Sequence, residues 1–70
     1  ANDSLIWYNR GVALTQLEKY DDAISSYEKA IEVSPGYADA WYNKAELLKH
    51  KGQDAEAETC FSKVTELEGE

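Results

Sequence analysis

The sequence contains few residues that would break, cross-link or anchor the chain: one proline, four glycines and one cysteine among 70 residues. A single cysteine has no partner for an internal disulfide, which fits a reducing compartment such as the cytoplasm. Apolar runs are short, Leu5–Tyr8 being typical, so we expect no membrane span. We also expect no secretory leader, because a basic segment followed by an apolar one is missing from the first residues.

Basic residues are scarce as well, with 7 lysines and arginines against 14 aspartates and glutamates and a net charge of −7. The acidic residues are distributed along both halves of the chain, and no basic cluster interrupts them. Such a surface repels phosphate backbones, which argues against nucleic acid as a partner. It favours encounter with a neutral or basic segment of another protein.

Residues suited to catalysis are equally rare, since His50 and Cys60 are the only histidine and cysteine. A cysteine nucleophile needs a base within hydrogen-bond reach and a third group that orients the base. The sequence contains no nucleophile elbow, no calcium-loop spacing and no Cys/His cluster for zinc. We therefore expect no enzyme activity, no metal and no cofactor.

The most informative pattern is a repeat of 34 residues, which places Trp7-Tyr8-Asn9 in register with Trp41-Tyr42-Asn43. Seven of the 33 pairs between Ser4/Ala38 and Gly36/Glu70 are identical. A repeat of this length indicates stacked helical hairpins, because a single hairpin cannot bury its apolar face alone. The sequence therefore predicts one all-α domain over residues 1–70, with two stacked antiparallel hairpins at 4–37 and 38–70.

Turn-forming residues divide the chain into four predicted helices. The first runs from Leu5 to about Leu17, the second follows a cap at Asp21, the third spans Ala38–Lys51, and Asp54 opens the fourth. The predicted breaks lie at Glu18-Lys19, at Ser34-Pro35-Gly36 and at Gly52, which suits the left-handed conformation after a helix. Three residues are alternative caps for the first helix: Asn2, Asp3 and Ser4.

Small residues at corresponding positions of the two repeats predict close helix packing. Gly11 and Ala45 lie on the first helix of each hairpin, and we expect them to face Ala23 and Ala57 on the second. Glycine inside a helix costs about 0.5–1 kcal/mol relative to alanine, so Gly11 indicates a steric requirement. The predicted core also includes four aromatic side chains, in which Tyr27 and Phe61 fill the space beside Trp7 and Trp41.

The spacing of these residues resembles the tetratricopeptide repeat, whose signature places Trp, Leu-Gly, Tyr, Ala, Phe, Ala and Pro at fixed offsets. The second copy departs from the signature at Gly69, where proline is usual, and both copies depart from it at Arg10 and Lys44, where leucine is usual. The resemblance implies an interaction scaffold without enzymatic activity. The first copy matches at Trp7, Gly11, Leu14, Ala23, Tyr27, Ala30 and Pro35, and the second at Trp41, Ala45, Leu48, Ala57, Phe61 and Val64.

The same resemblance implies a binding site, because the first helices of such hairpins line a concave groove. Tyrosine supplies apolar area with a hydroxyl, and asparagine both donates to and accepts from an extended peptide. Alternatively, these side chains are merely solvated, or the asparagines bridge neighbouring helices. The predicted groove residues are Leu5, Tyr8, Asn9, Val12, Gln16, Asp39, Tyr42, Asn43, Glu46, Lys49 and His50.

One subclass of the family holds a C-terminal carboxylate with lysine, arginine and asparagine from three consecutive repeats. The chain has Tyr8 and Val12 at the positions of the first-repeat lysine and asparagine, and only Asn43 matches. The resemblance therefore argues against binding to the acidic tails of chaperones.

The two ends of the predicted array differ in polarity. Ile24 and Ile31 of the second helix need cover from the third, which Ala40 and Leu47 would provide, whereas polar residues occupy the matching positions of the last helix. The C-terminal end therefore reads as a terminal repeat. At the other end, an apolar stripe on the first helix has no evident cover, which predicts either a preceding repeat or self-association as a homodimer. The stripe consists of Ile6, Ala13 and Leu17.

Overall fold

A computed structural model describes residues 3–69 of the chain. Four α-helices follow one another, and α1 packs on α2, α2 on α3 and α3 on α4. Residues 3–69 contain no strand, so the prediction of an all-α fold with two stacked antiparallel hairpins is confirmed. The helices are α1 (Asp3–Gln16), α2 (Tyr20–Val33), α3 (Ala38–His50) and α4 (Asp54–Glu68).

The predicted breaks all separate helices in the structure. α2 ends at Val33, one residue before Ser34-Pro35-Gly36, because the residue before a proline is disfavoured in helical geometry. α3 ends one residue earlier than predicted, and α1 both begins earlier and ends at Gln16. Two of the predicted caps of α1, Asp3 and Ser4, therefore lie within the helix, while the third, Asn2, lies outside the described residues.

The prediction that Asp21 caps α2 is wrong. The cap position is Lys19, whose backbone N–H donates to the Leu14 carbonyl at 2.9 Å and closes the preceding turn. Main-chain hydrogen bonds thus define this turn without a side-chain cap. The Asp21 carboxylate lies inside the first turn of α2 and forms an ion pair with Lys51 at the end of α3. A contact between hairpins, rather than a local one, explains this acidic residue.

Close packing inside the first hairpin depends on Gly11. A methyl group at Gly11 would lie only 2.6 Å from Cε1 of Tyr27, much closer than van der Waals contact. Tyr27 is 2% exposed and is the largest fully buried side chain of residues 3–69, so its ring has no space into which to move. The steric requirement at Gly11 agrees with the prediction, although its nearest neighbour is Tyr27 rather than Ala23.

Aromatic contacts repeat with the same 34-residue period. The ring centroids of Tyr8 and Tyr27 are 5.7 Å apart, and those of Tyr42 and Phe61 are also 5.7 Å apart. Tyr27 and Phe61 therefore pack against the tyrosines, a contact that the prediction did not include. Trp7 and Trp41 are half-buried and pack against the edge of the core. The Trp41 indole N–H donates to the carbonyl of Pro35 at 2.9 Å, which attaches α3 to the preceding turn.

Two ion pairs and a ring contact connect the two hairpins. Lys44 of α3 lies 3.2 Å from Glu28 of α2, and Lys51 pairs with Asp21 about two helical turns further along. The rings of Tyr20 and His50 lie 4.7 Å apart beside the second ion pair. α2 and α3 are antiparallel, and they bury aliphatic residues between them, as predicted. The buried residues here include Ile24, Ala40 and Leu47.

The turns within the two hairpins share a backbone conformation but not a residue type. Gly52 has a φ of +84°, the left-handed conformation that was predicted for it. Glu18, which lies 34 residues earlier, has a φ of +63° and is the only non-glycine residue with positive φ between residues 3 and 69. A side chain in this region costs roughly 1–2 kcal/mol through contact of its Cβ with the backbone. The first turn is therefore strained and the second is not.

We predict that Gly11→Leu lowers the free energy of unfolding by about 1–3 kcal/mol, because its side chain would overlap the buried Tyr27 ring. Urea denaturation followed by circular dichroism measures this loss. Gly36→Ala is the matched control: no atom lies within 4 Å of its new methyl group, so a change within about 0.5 kcal/mol is expected. Equal stability of Gly11→Leu and wild type would show that the close approach is not required.

We predict that Glu18→Gly raises the free energy of unfolding by about 0.5–1 kcal/mol, since relief of the left-handed strain exceeds the entropy that glycine gains in the unfolded chain. The reciprocal variant Gly52→Ala should lower it by about 1 kcal/mol, because it introduces the same strain into the second turn. Thermal unfolding of both proteins at the same concentration tests the pair. A Glu18→Gly protein that melts below wild type would contradict this account.

Candidate functional site

A shallow pocket of about 240 Å³ lies between α1 and α3 on the side where the predicted groove residues project. Its walls come from both repeats, and Tyr27 of α2 contributes to its base. The structure brings together four of the predicted residues here and adds three that the prediction missed. We call this feature the α1–α3 pocket; its lining residues are Val12, Thr15, Gln16, Tyr27, Asn43, Glu46 and Leu47.

The three missed residues had been assigned other roles or none. Tyr27 was assigned to the core and Leu47 to the contact between hairpins, and both assignments hold, yet each side chain also reaches the pocket. Thr15 follows Val12 by three residues and therefore shares its helix face, a signal that was available in the sequence. The Thr15 hydroxyl donates to the carbonyl of Gly11 at 2.8 Å, and this hydrogen bond fixes the rotamer of Thr15 and therefore the position of its methyl group.

Asn43 joins three helices rather than pointing freely into the pocket. Its Nδ2 donates to the hydroxyl of Tyr8 in α1 at 3.0 Å and approaches the hydroxyl of Tyr27 in α2 at 3.4 Å. The alternative that an asparagine bridges neighbouring helices therefore holds for Asn43. Asn9, its counterpart in the first repeat, is exposed. The two asparagines occupy equivalent positions in sequence but have different environments, because Asn43 lies beside the first hairpin, whereas residues 3–69 place no hairpin before Asn9.

The end of the groove near the start of α3 is aromatic. The rings of Tyr8 and Tyr37 are 5.1 Å apart, and both side chains are half-buried. Burial is the main cause that raises the pKa of the Tyr8 hydroxyl, and the hydrogen bond from Asn43 opposes it. Burial also raises the pKa of Tyr37, with smaller effects from Tyr8 and from the carboxylate of Asp39. These phenols are therefore neutral hydrogen-bonding groups at physiological pH.

An exposed carboxylate, that of Glu46, lies at the α1–α3 pocket. Tyr42 is exposed, and its hydroxyl hydrogen-bonds to Glu46 one turn later, which raises the pKa of Tyr42. The ring of Tyr42 is held in turn by edge contact with Phe61 of α4. Because Glu46 is exposed and lines the pocket, it presents a negative charge to any molecule that enters.

The remaining predicted groove residues do not line the pocket. Leu5, Asn9, Asp39 and Lys49 are exposed, and none of them is among the lining residues. The ring of His50 packs against Tyr20, on the contact between α2 and α3. Apart from His50, the ten predicted groove residues include two carboxylates, Asp39 and Glu46, and one ammonium group, Lys49.

Groups with catalytic potential lie apart from the pocket. Cys60 is buried in the core, and its burial raises the pKa of the thiol, so the reactive thiolate is disfavoured. Within residues 3–69, no three side chains of the histidine, cysteine or carboxylate types are grouped so as to hold a metal ion. None of the four described helices has the length and apolar character that crossing a membrane requires.

We predict that the free energy of unfolding decreases as the pH rises above about 10. The folded state raises the pKa of Tyr8, Tyr37 and Tyr42, so it favours their neutral form. Their contribution is complete below the unfolded-state value of about 10 and is lost as the pH passes through the raised folded-state values. Urea titrations between pH 8 and pH 11.5 measure this loss. In Tyr8→Phe the loss should be smaller, and an identical pH dependence in that variant would exclude Tyr8 as a contributor.

Comparison with known families gives two overlapping matches, both to models of the tetratricopeptide repeat. They cover residues 4–37 and residues 26–59. The first corresponds to the first hairpin, and the second extends from α2 into the beginning of α4.

Several curated proteins are similar in sequence. An uncharacterized protein of Methanocaldococcus jannaschii is 40% identical over 55 residues, which are 79% of this chain and 64% of that protein. A DnaJ protein of Oryza sativa is 33% identical over 66 residues, covering 94% of this chain and 14% of the relative. Small glutamine-rich tetratricopeptide repeat-containing protein 2 of Saccharomyces cerevisiae is 30% identical, covering 97% of this chain and 20% of the relative. The chain thus spans less than two thirds of each of these proteins.

Among solved structures, the crystal structure of MamA resembles the fold closely. The TM-score is 0.92 at 31% sequence identity, and the match covers 93% of this chain and 38% of MamA. The similarity includes nearly all of residues 3–69, so the stacking of the two hairpins agrees with an experimentally determined arrangement.

Proposed function

Since this chain belongs to the tetratricopeptide-repeat family, we propose that it is a non-enzymatic module that binds a segment of another protein in the α1–α3 pocket. The observation that carries the proposal is the composition of the pocket, which combines apolar walls with the exposed carboxylate of Glu46. Val12 and Leu47 supply apolar surface, and the exposed amide of Gln16 both donates and accepts hydrogen bonds. Mixed surfaces of this kind suit peptide recognition.

The charge of the site supports a neutral or basic partner. Glu46 lies at the pocket, and Asp39 lies at the aromatic end of the same helix face. The net charge of −7 adds a long-range attraction for basic segments and repels acidic ones. The short groove limits the buried area, so we expect dissociation constants on the order of micromolar.

We predict that a random peptide library selected on the full chain yields binders enriched in lysine and arginine, and that Glu46→Gln weakens their binding. Loss of one exposed charge–charge contact should reduce affinity by about two- to fivefold, and the reduction should shrink as salt is added. Glu56→Gln is the matched control, because Glu56 is exposed on a different face and lines a different pocket. Fluorescence anisotropy of a labelled peptide measures the affinities.

Nuclear magnetic resonance tests the location independently of the mutations. Bound peptide should shift the methyl resonances of Val12, Thr15 and Leu47, and leave the indole N–H of Trp41 unchanged. Equal weakening by Glu46→Gln and Glu56→Gln, or resonance shifts centred on Trp41, would place the binding site elsewhere. Asn43→Ala is unsuited to this test, because it removes the bridge between Tyr8 and Tyr27 as well as a groove side chain.

A further inference from the structure

A second surface lies on the outer side of α1, away from α2. Ile6 is 64% exposed and Leu17 is 65% exposed, although both are large and apolar. Arg10 and Ala13, which are also exposed, lie between them at helical spacing, so the four side chains form one continuous row. We call this row the α1 stripe, defined as Ile6, Arg10, Ala13 and Leu17.

The second repeat shows what covers the corresponding row of α3, which consists of Ala40, Lys44, Leu47 and Lys51. There Ala40 is 0% exposed and Leu47 is 6% exposed, because α2 packs against them. The two lysines form ion pairs with Glu28 and Asp21 of α2, seven residues apart on each helix. This register places Ile31 beside Ala40 and Ile24 beside Leu47.

Arg10, like Lys44, lies beside a tryptophan ring, but within residues 3–69 it has no carboxylate partner of the kind that Lys44 has. The Arg10 guanidinium carbon lies 5.8 Å from the centre of the Trp7 ring, and the Lys44 nitrogen lies 5.8 Å from the centre of the Trp41 ring. Lys44 also has Glu28 at 3.2 Å. In the part of the chain that the structure describes, no carboxylate lies within 4 Å of the Arg10 guanidinium.

We propose that the α1 stripe binds an amphipathic helix of a partner, antiparallel to α1, with a glutamate opposite Arg10. A large aliphatic residue four positions before this glutamate would cover Ala13, and an apolar residue three positions after it would cover Ile6. These two positions follow the pattern of Ile24, Glu28 and Ile31 in α2. The proposal is independent of the α1–α3 pocket.

The α1 stripe differs from the covered row of the second repeat at Ile6, Ala13 and Leu17, so the partner helix need not match α2. Ile6 replaces Ala40, so the partner residue three positions after the glutamate has less space and should be apolar and no larger than isoleucine. Leu17 replaces Lys51, so the partner residue seven positions before the glutamate should be apolar, where α2 has Asp21. Ala13 replaces Leu47, so the residue four positions before the glutamate has more space and should be at least as large as isoleucine. The partner helix should therefore carry an apolar residue and, three positions later, a large aliphatic residue. The glutamate follows four positions after that, and a second apolar residue follows three positions after the glutamate.

The exposed faces of a second copy of the chain do not provide this pattern. The α4 residues equivalent to Ile24, Glu28 and Ile31 are Glu58, Ser62 and Thr65, which are exposed and polar. Pairing of two α1 stripes around a two-fold axis would bury both Arg10 side chains against a row that contains no carboxylate. A different protein segment is thus favoured over a homodimer.

An extended chain, in which residues 1–37 are followed by residues 4–70, tests the proposal. The added hairpin places a second α2 next to the α1 stripe in the register that α2 and α3 already use. We expect the urea midpoint to rise above that of the original chain, by about 0.5 M or more. Asp21→Leu in the added copy should raise it further, because a leucine then faces Leu17.

Charge reversal distinguishes the proposed contact from unspecific stacking. Arg10→Glu in the original hairpin should remove at least half of the rise, and Glu28→Arg in the added copy should restore most of it. In the original 70-residue chain, Arg10→Glu should change the midpoint little, because Arg10 is exposed there. Equal effects of Arg10→Glu in both chains, or no rescue by the second reversal, would overturn the proposed pairing.

Sedimentation equilibrium of the original chain tests whether a second copy of the chain binds the α1 stripe instead. We expect a monomer at high protein concentration and high salt, where the repulsion from the net charge is screened. A dimer that Leu17→Glu abolishes would show that a second copy occupies the α1 stripe, and it would overturn the proposal.

Discussion

The packing of Tyr27 is the constraint on which the rest of the structure depends. Its ring lies on the bare backbone of Gly11, so α1 and α2 approach more closely than any side chain at residue 11 would allow. The hydroxyl end of the ring reaches Asn43 of α3 and the ring edge contributes to the base of the α1–α3 pocket. One buried side chain of α2 therefore determines both the spacing within the first hairpin and the position of the second.

The two repeats have similar backbones but differ in the hydrogen bonds that their tyrosines make. Phe61 replaces Tyr27 and has no hydroxyl, and Tyr42 hydrogen-bonds to Glu46 of its own helix rather than to a neighbouring helix. Tyr8, the counterpart of Tyr42, is half-buried and accepts a hydrogen bond from Asn43. The first repeat thus uses its tyrosine to connect the hairpins, whereas the tyrosine of the second repeat and the carboxylate of Glu46 are exposed to solvent.

The proposed binding surfaces have opposite electrostatic character. The α1–α3 pocket carries an exposed glutamate and suits a neutral or basic segment, whereas the α1 stripe has Arg10 in its centre and suits a helix with a glutamate. The overall charge of −7 favours the approach of a basic segment to the α1–α3 pocket at long range. Binding at the α1 stripe would depend instead on a short-range contact between Arg10 and a glutamate, which apolar neighbours would shield from water. Under the two proposals, a segment that fits one surface is therefore disfavoured at the other.

The sequence by itself determined the number and order of the helices, because turn residues and the 34-residue period act locally and recur. It also determined which side chains share a helix face, as the exposure of Ile6 and Leu17 illustrates. Only the tertiary structure decided which of those side chains meet across helices. Asp21 was predicted to cap α2 but pairs with Lys51. For Asn43 the sequence left a groove role and a bridge between helices open, and the structure shows that its amide bridges two tyrosines while it also lines the pocket. Periodicity gives the direction of a side chain from its own helix axis, whereas its partners depend on the distance and register between helices, which result from packing around Tyr27.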